Sequence, residues 1–423
     1  MPQRVPSRPA AAALLGCAAF VLIGWTGLLV PSLIRSVKDA FGQSDAGIGL
    51  WYLLFASTYA AGSLSGGLVI ERLGRRTVLA LGTGLLGGGL LTLGLAPSWT
   101  FFLLGALPMG FGNGVVDGGV NGLFLDLYRT GRGRALNLLH VFFSLGAFGA
   151  PVVVGRLVES GVGWQAVLVG TAVAAIPVAV LFGATEMPAG RHARSEPEPE
   201  PAPEPAPAPE PEREPAPATL ARGPLPAARR SMPGPLLLLG LAIGCFVAAE
   251  GGVSNWLVRF LEQAPLSTAT FALGLFWGGI TVGRLVSAPL ADRFDHLRYT
   301  LACAAVLVLT LVGAILVPSL PASIALFGLA GLASGPIYPM IVAFGGERYP
   351  DRTAAVGGFL SGAAVAGSIV YPPVMGFLSV TVGLTIAMLG NVALAIACAG
   401  ALAQVGRWRA GRSAEAAMEP VRS

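Results

Sequence analysis

Charge is what this sequence has least of. Asp, Glu, Lys and Arg make up 12% of its 423 residues, against about 25% in ordinary soluble domains. A water-soluble chain of this length could not cover its surface with so few charges. Lysine is nearly missing, with Lys38 the single one among 27 basic residues. Cysteine is limited to Cys17, Cys245, Cys303 and Cys398, each inside an apolar run where it acts as a small hydrophobe. That excludes a disulfide scaffold, and no Cys/His spacing suggests a metal. There is no GxxxxGK[ST] loop, no HExxH and no GxSxG elbow. No polar segment is large enough to hold a nucleotide site, so neither an enzyme nor an ATP-driven machine is expected, and no cofactor.

What fills the space is apolar sequence: 54% hydrophobic residues with a mean hydropathy of +0.71. A spanning helix needs roughly 20 apolar residues. Twelve such runs can be read, at 10–34, 47–70, 77–96, 100–128, 135–158, 166–184, 234–260, 269–291, 299–317, 322–346, 354–380 and 384–405. The fold class is therefore an all-α polytopic membrane protein, with the lipid bilayer as its solvent. The first run is long and lacks a cleavage site before a soluble domain, so it reads as an anchor rather than a signal peptide.

Arginine sets the orientation. With both termini in the cytoplasm, the N-terminal tail, the even-numbered connections and the C-terminal tail hold 22 of the 27 basic residues, as the positive-inside rule requires. The same asymmetry accounts for a pI near 9.3 without any nucleic acid. A bacterial cytoplasmic (inner) membrane is the expected location. Residues 185–233 differ in kind. Their EPEPEPAPEPAPAPEPEREPAPA tract favours extended polyproline II and reads as a disordered cytoplasmic tether. It divides the chain into a six-helix half (1–184), the linker, a second six-helix half (234–405) and a tail (406–423).

The halves align under a shift of 221 residues, without a gap, from the second span through the fifth. Phe55 meets Phe276, Gly62 meets Gly283, Gly110 and Gly114 meet Gly331 and Gly335, and Pro151 meets Pro372. Acids coincide as well: Glu71 with Asp292, and Asp126 with Glu347. Two parallel six-helix repeats are a transporter architecture, with the solute bound between them near the midplane.

GGLVIERLGRR (Gly66 to Arg76) resembles the signature loop after the second helix of the major facilitator superfamily, and APLADRF (Ala288 to Phe294) its weaker second copy. A narrower resemblance is to the fucose:proton symporter family and its sodium-dependent glucose transporter-like relatives. It rests on VVDGGVNGLFLD (Val115 to Asp126), RALNLLHVFFSLGAFGAP (Arg134 to Pro151), EGGVSNWL (Glu250 to Leu257) and GERYPDRTAAVGG (Gly346 to Gly358). That resemblance implies proton coupling through the acid of the fourth helix, here Asp117, with Asn121 one turn later. It also implies an acid in the first helix, where this chain has Gly27.

An ionised side chain at mid-membrane costs at least ~2.5–3.5 kcal/mol, so intramembrane acids need a partner or a wet cavity. Asp117 lies about 16 Å from its helix end at 1.5 Å per residue. Asn113 and Asn121 flank it at i−4 and i+4 and predict one polar stripe facing the cavity. Glu250 is followed by Gly251 and Gly252, which would allow a break, and then by Asn255 and Trp256, an amide and an aromatic plate. Asn137 and His140 on the fifth span and Trp277 on the eighth complete the predicted solute-binding set. Asp117 and Glu250 are the predicted proton carriers. Glu71, Arg72, Arg75, Arg76, Asp126 and Arg134 in one half, with Asp292, Arg293, Glu347 and Arg352 in the other, form a predicted cytoplasmic gate.

The expected function is secondary active transport of a small hydroxylated solute, a sugar or polyol, by a monomer coupled to protons, with sodium as the other candidate ion. Proton-coupled efflux of drug-like compounds and a non-transporting solute sensor remain the alternatives.

Overall fold

The computed structural model describes residues 9–128, 132–187, 234–291, 293–349 and 352–418. The Pro/Glu/Ala-rich segment and Asp292 lie outside them, so the tether reading and that gate acid have no structural counterpart here.

Among the described residues the chain is helical throughout. The first half comprises α1 (Pro9–Gly27), α2 (Leu29–Phe41), α3 (Asp45–Leu73), α4 (Arg75–Gly94), α5 (Trp99–Leu127), α6 (Arg132–Glu159) and α7 (Trp164–Ala184). The second comprises α8 (Gly234–Phe260), α9 (Leu266–Ala291), α10 (His296–Leu316), α11 (Leu320–Ser334), α12 (Ile337–Arg348), α13 (Thr353–Thr381) and α14 (Leu384–Met418). These helices supply twelve spans long and apolar enough to cross a bilayer, one at each of the twelve predicted runs.

Two spans are interrupted where the hydropathy gave no warning. The first changes from α1 to α2 at Leu28, whose amide bonds the carbonyl of Trp25 at 3.2 Å. Pro31 has no amide with which to bond Gly27, so the ladder lapses there. The tenth span changes from α11 to α12 at Gly335-Pro336, for the same reason. By contrast, α8 runs unbroken through Gly251 and Gly252, and α13 through Pro372 and Pro373. The predicted break beside Glu250 is therefore absent. Gly252 has another job: the side-chain oxygen of the buried Asn391 occupies the space its Cβ would need.

The repeat read from sequence holds atom by atom at the helix crossings. A Cβ on Gly110 would stand 2.5 Å from the carbonyl oxygen of Phe55, and one on Gly331 would overlap that of Phe276. A Cβ on Gly114 would overlap the Tyr59 carbonyl, and one on Gly335 would stand 2.5 Å from the Ile280 carbonyl. Gly62 lies as closely on the carbonyl of Phe111, and Gly283 on that of Leu332. Each pair of glycines is related by the same 221-residue shift. Helices α3 and α5, and α9 with α11, thus cross backbone against backbone, as small residues permit in membranes.

The halves meet along three seams, α2 with α8, α3 with α13 and α6 with α9. Gly49 lies against Pro373 and Gly376, Gly155 against Thr270, and Phe148 against Gly274 and Gly278. These contacts fall in the stretches remote from the chain termini.

Adding a methyl group at Gly114 or Gly335 forces two backbones apart, at a typical overpacking cost of ~1–3 kcal/mol. Gly114→Ala and Gly335→Ala are expected to lower the melting temperature of the purified protein, whereas Gly84→Ala, which meets open space, should leave it unchanged. A thermal-shift assay in detergent decides this.

Candidate functional site

The glycines of α5 determine which groups can meet. With Gly114 against the Tyr59 carbonyl, the two helices are close enough for the Tyr59 hydroxyl to donate to Asp117 Oδ2 at 2.9 Å. Asn121 Nδ2 donates to Asp117 Oδ1 at 3.1 Å and to the Asp117 carbonyl at 3.0 Å. Each carboxylate oxygen therefore has one neutral donor. Among the described residues no cation lies within 4 Å of it. Tyr59, Asp117 and Asn121 are all half-buried, deep in the molecule yet with accessible surface.

The predicted stripe is split. Asn113 is buried, accepting from Thr26 Oγ1 at 3.1 Å and donating to the Met109 carbonyl at 3.2 Å. It ties α5 to α1 and does not share the Asp117 surface. Helix periodicity places three residues on one side of α5, but that side borders both a neighbouring helix and the interior space.

Glu250 on α8 and Arg284 on α9 are half-buried and within electrostatic reach of one another. Neither side chain makes a hydrogen bond or ion pair among the described residues. Arg284 also reaches Tyr338 and His140 in this sense. Tyr338 is the counterpart of Asp117 under the 221-residue shift and lies within electrostatic reach of Tyr59. Arg284 thus belongs with this mid-depth set. His140 packs edge-on against Phe20, with ring centroids 5.5 Å apart at 78°. Its carbonyl accepts from Ser144.

Other predicted site residues go elsewhere. Trp256 is fully buried, donates to the Pro372 carbonyl at 2.9 Å and packs on Tyr52 with ring centroids 5.8 Å apart. It is a strut between the halves, not an open plate for a solute. The carbonyl of Asn255 accepts from Tyr52 at 2.9 Å in the same seam. Trp277 is buried against Phe143 across the α6–α9 seam, and its indole N–H has no partner among the described residues. Asn137 is exposed.

The charged residues near the terminal end pair within each half. Arg75 donates to Asp126 at 2.6 Å, and His296 Nδ1 meets Glu347 at 2.9 Å. These two pairs are counterparts under the repeat, Arg75 with His296 and Asp126 with Glu347. The sequence reading named both acids and Arg75 but missed His296, because the residue type changes between copies. Glu71, Arg72, Arg76, Arg134, Arg293 and Arg352 are exposed.

The family model described as Major Facilitator Superfamily matches residues 14–320 and 264–417. Mouse sodium-dependent glucose transporter 1A is 24% identical over 136 residues, which is 32% of this chain and 32% of that protein. The match thus spans about a third of that relative's length. Among solved structures, a bacterial homolog of the human lysosomal transporter Spinster, inward-facing and unoccupied, superposes with a TM-score of 0.73 at 16% identity, covering 95% of this chain and 98% of that one. A single-residue variant of the E. coli fucose:proton symporter FucP superposes with a TM-score of 0.60 at 18% identity, covering 94% and 99%.

The two asparagines of α5 separate stability from site chemistry. Asn113→Ala removes the buried bond between α5 and α1, leaves the Thr26 hydroxyl only the Ile23 carbonyl of its own helix, and should cost ~0.5–1.5 kcal/mol of stability. Asn121→Ala, at a half-buried position, should leave the melting temperature close to that of the parent and alter ligand binding instead. Parallel melting and ligand-binding measurements on the two variants check this split.

Proposed function

The chain belongs to the Major Facilitator Superfamily, and on that footing we propose that it moves a small hydroxylated solute, a sugar or polyol, by proton symport. Membership makes it a multi-pass membrane transporter rather than an enzyme. The observation that carries the finer reading is the Tyr59–Asp117–Asn121 cluster: a mid-depth carboxylate held by two neutral donors, with accessible surface and, among the described residues, no cation within ion-pair distance.

A carboxylate so placed has a natural proton cycle. Protonation removes a charge that is costly to carry through a closed, low-dielectric intermediate. The proton would then be lost where the site faces the alkaline side. Asp117, Asn121 and Tyr59 together offer the acceptors and donors that solute hydroxyls require. Glu250 and Arg284 supply a second polar group from the other half, so a solute between them would touch both repeats and favour their closure around it. Sodium coupling would call instead for several converging oxygen ligands. The arginine distribution supports cytoplasmic termini, and on that reading we assign the protein to a bacterial inner membrane, acting as a monomer.

External pH should rise when de-energised, weakly buffered cells expressing the protein receive a pulse of the right sugar. Asp117→Asn should abolish that signal and uphill accumulation while sparing solute exchange. Undiminished uphill uptake in Asp117→Asn removes the assignment of the coupling acid. Silence across a sugar panel, with proton flux evoked by drug-like cations instead, replaces symport with efflux.

A further inference from the structure

At the end remote from the termini, charges of the first half sit on helix ends and side chains of the second. Arg35, on α2, spends its guanidinium on carbonyls at the C-terminal end of α8. Its Nε donates to Val258 at 3.0 Å, its Nη1 to Ala264 at 2.8 Å and its Nη2 to Leu261. A cation there satisfies orphan carbonyls and complements the helix dipole. Glu159, at the end of α6, accepts from the backbone amide of Ser267 in the first turn of α9 at 2.7 Å.

A third cross-half contact is made by Asp45, the first residue of α3 and 4% exposed. Its Oδ1 accepts from Lys38 of its own half and from Arg259 Nε of the other at 3.1 Å. Its Oδ2 accepts from Ser379 on α13 at 2.6 Å. Arg259 also pairs with Glu262 of its own half. Lys38 and Arg259 correspond under the 221-residue shift, but the counterpart of Asp45 is Leu266. One acid thus serves two repeat-related cations, one from each half, and joins α2, α3, α8 and α13 at a point.

The packing beneath leaves no slack. A Cβ on Gly376 would stand 2.5 Å from the Asp45 carbonyl, and Tyr52 and Trp256 fill the next layer. Above it, a polar cavity of about 470 Å³, lined by Lys38, Asp45, Arg259, Glu262, Ser379 and Thr385, gives water access to the cluster.

We propose that Asp45 is the locking charge of this end of the molecule, and that opening the central site to that side requires its bonds to Arg259 and Ser379 to break. The inference rests on the seam alone and holds whatever the solute is. Burial makes the contact strong, because parting the halves takes from Asp45 two of its three side-chain partners and leaves it Lys38 alone. Adjacent water makes it reversible, since the parted groups can be solvated.

Spin labels at Ala40→Cys and Val382→Cys, both exposed positions flanking the seam, report its width once the four native cysteines are replaced by alanine. The parent should give one short-distance population by double electron–electron resonance. Asp45→Asn should raise the long-distance population about tenfold or more. Asp45→Glu, which keeps the negative charge between Lys38 and Arg259, should keep the short distance. Asp45→Asn distances equal to the parent's overturn the lock. So does opening in Asp45→Glu as wide as that in Asp45→Asn, because packing rather than charge then held the seam. Where Asp45→Asn does not yield monodisperse protein, Arg259→Gln reads the same bond from the other side.

Discussion

Two helices that cross with nothing but a glycine between their backbones set the terms for the rest of this molecule. At Gly110 and Gly114, α5 lies directly on the carbonyls of Phe55 and Tyr59. No side chain of ordinary size could stand at that crossing. The tyrosine hydroxyl is thereby brought to a carboxylate that has no cation within ion-pair distance among the described residues. In lipid there is little hydrophobic force between helices, so such close contact is what fixes their separation. Chemistry at mid-depth inherits its geometry from a packing rule.

The same crossing is built twice, and the two copies carry different chemistry. Gly335 repeats Gly114, yet Tyr338 stands where the first copy has Asp117, and Ile280 where it has Tyr59. The terminal-end pairs repeat in position, but one cation is arginine and the other histidine. At the opposite end the cations repeat and the acid does not. Backbone contacts survive duplication because any added atom breaks them. Polar groups diverge because each half presents a different surface to the solute and to its partner.

This explains what could be read in advance. The twelve spans were legible because each needs about 20 apolar residues whatever its neighbours are. The repeat was legible because glycines at crossings tolerate no substitution in size. Asp117 and Asn121 were legible as a turn-spaced polar pair. The function of Asn113 was not, since periodicity names a face and not what lies opposite; its partner Thr26 is 87 residues away. Tyr59 was passed over as one polar group in an apolar run. Trp256 looked like a surface for sugars because its neighbours are polar, but its partner, the Pro372 carbonyl, is 116 residues away. The helix interruptions at Leu28 and Gly335-Pro336 depend on single missing amides, which hydropathy does not count.

A chain with one lysine has one side-chain amine, and here that amine is bound to Asp45 at the seam. Reagents that attack amines therefore find almost no side chain to modify while Lys38 stays engaged. Lys38 and Asp45 belong to one half and would move together, so parting the seam would change only what surrounds the pair, by withdrawing Arg259 and Ser379 from the acid. The scarcity of lysine that suits a protein living in lipid thus leaves a single amine whose surroundings report the state of the seam.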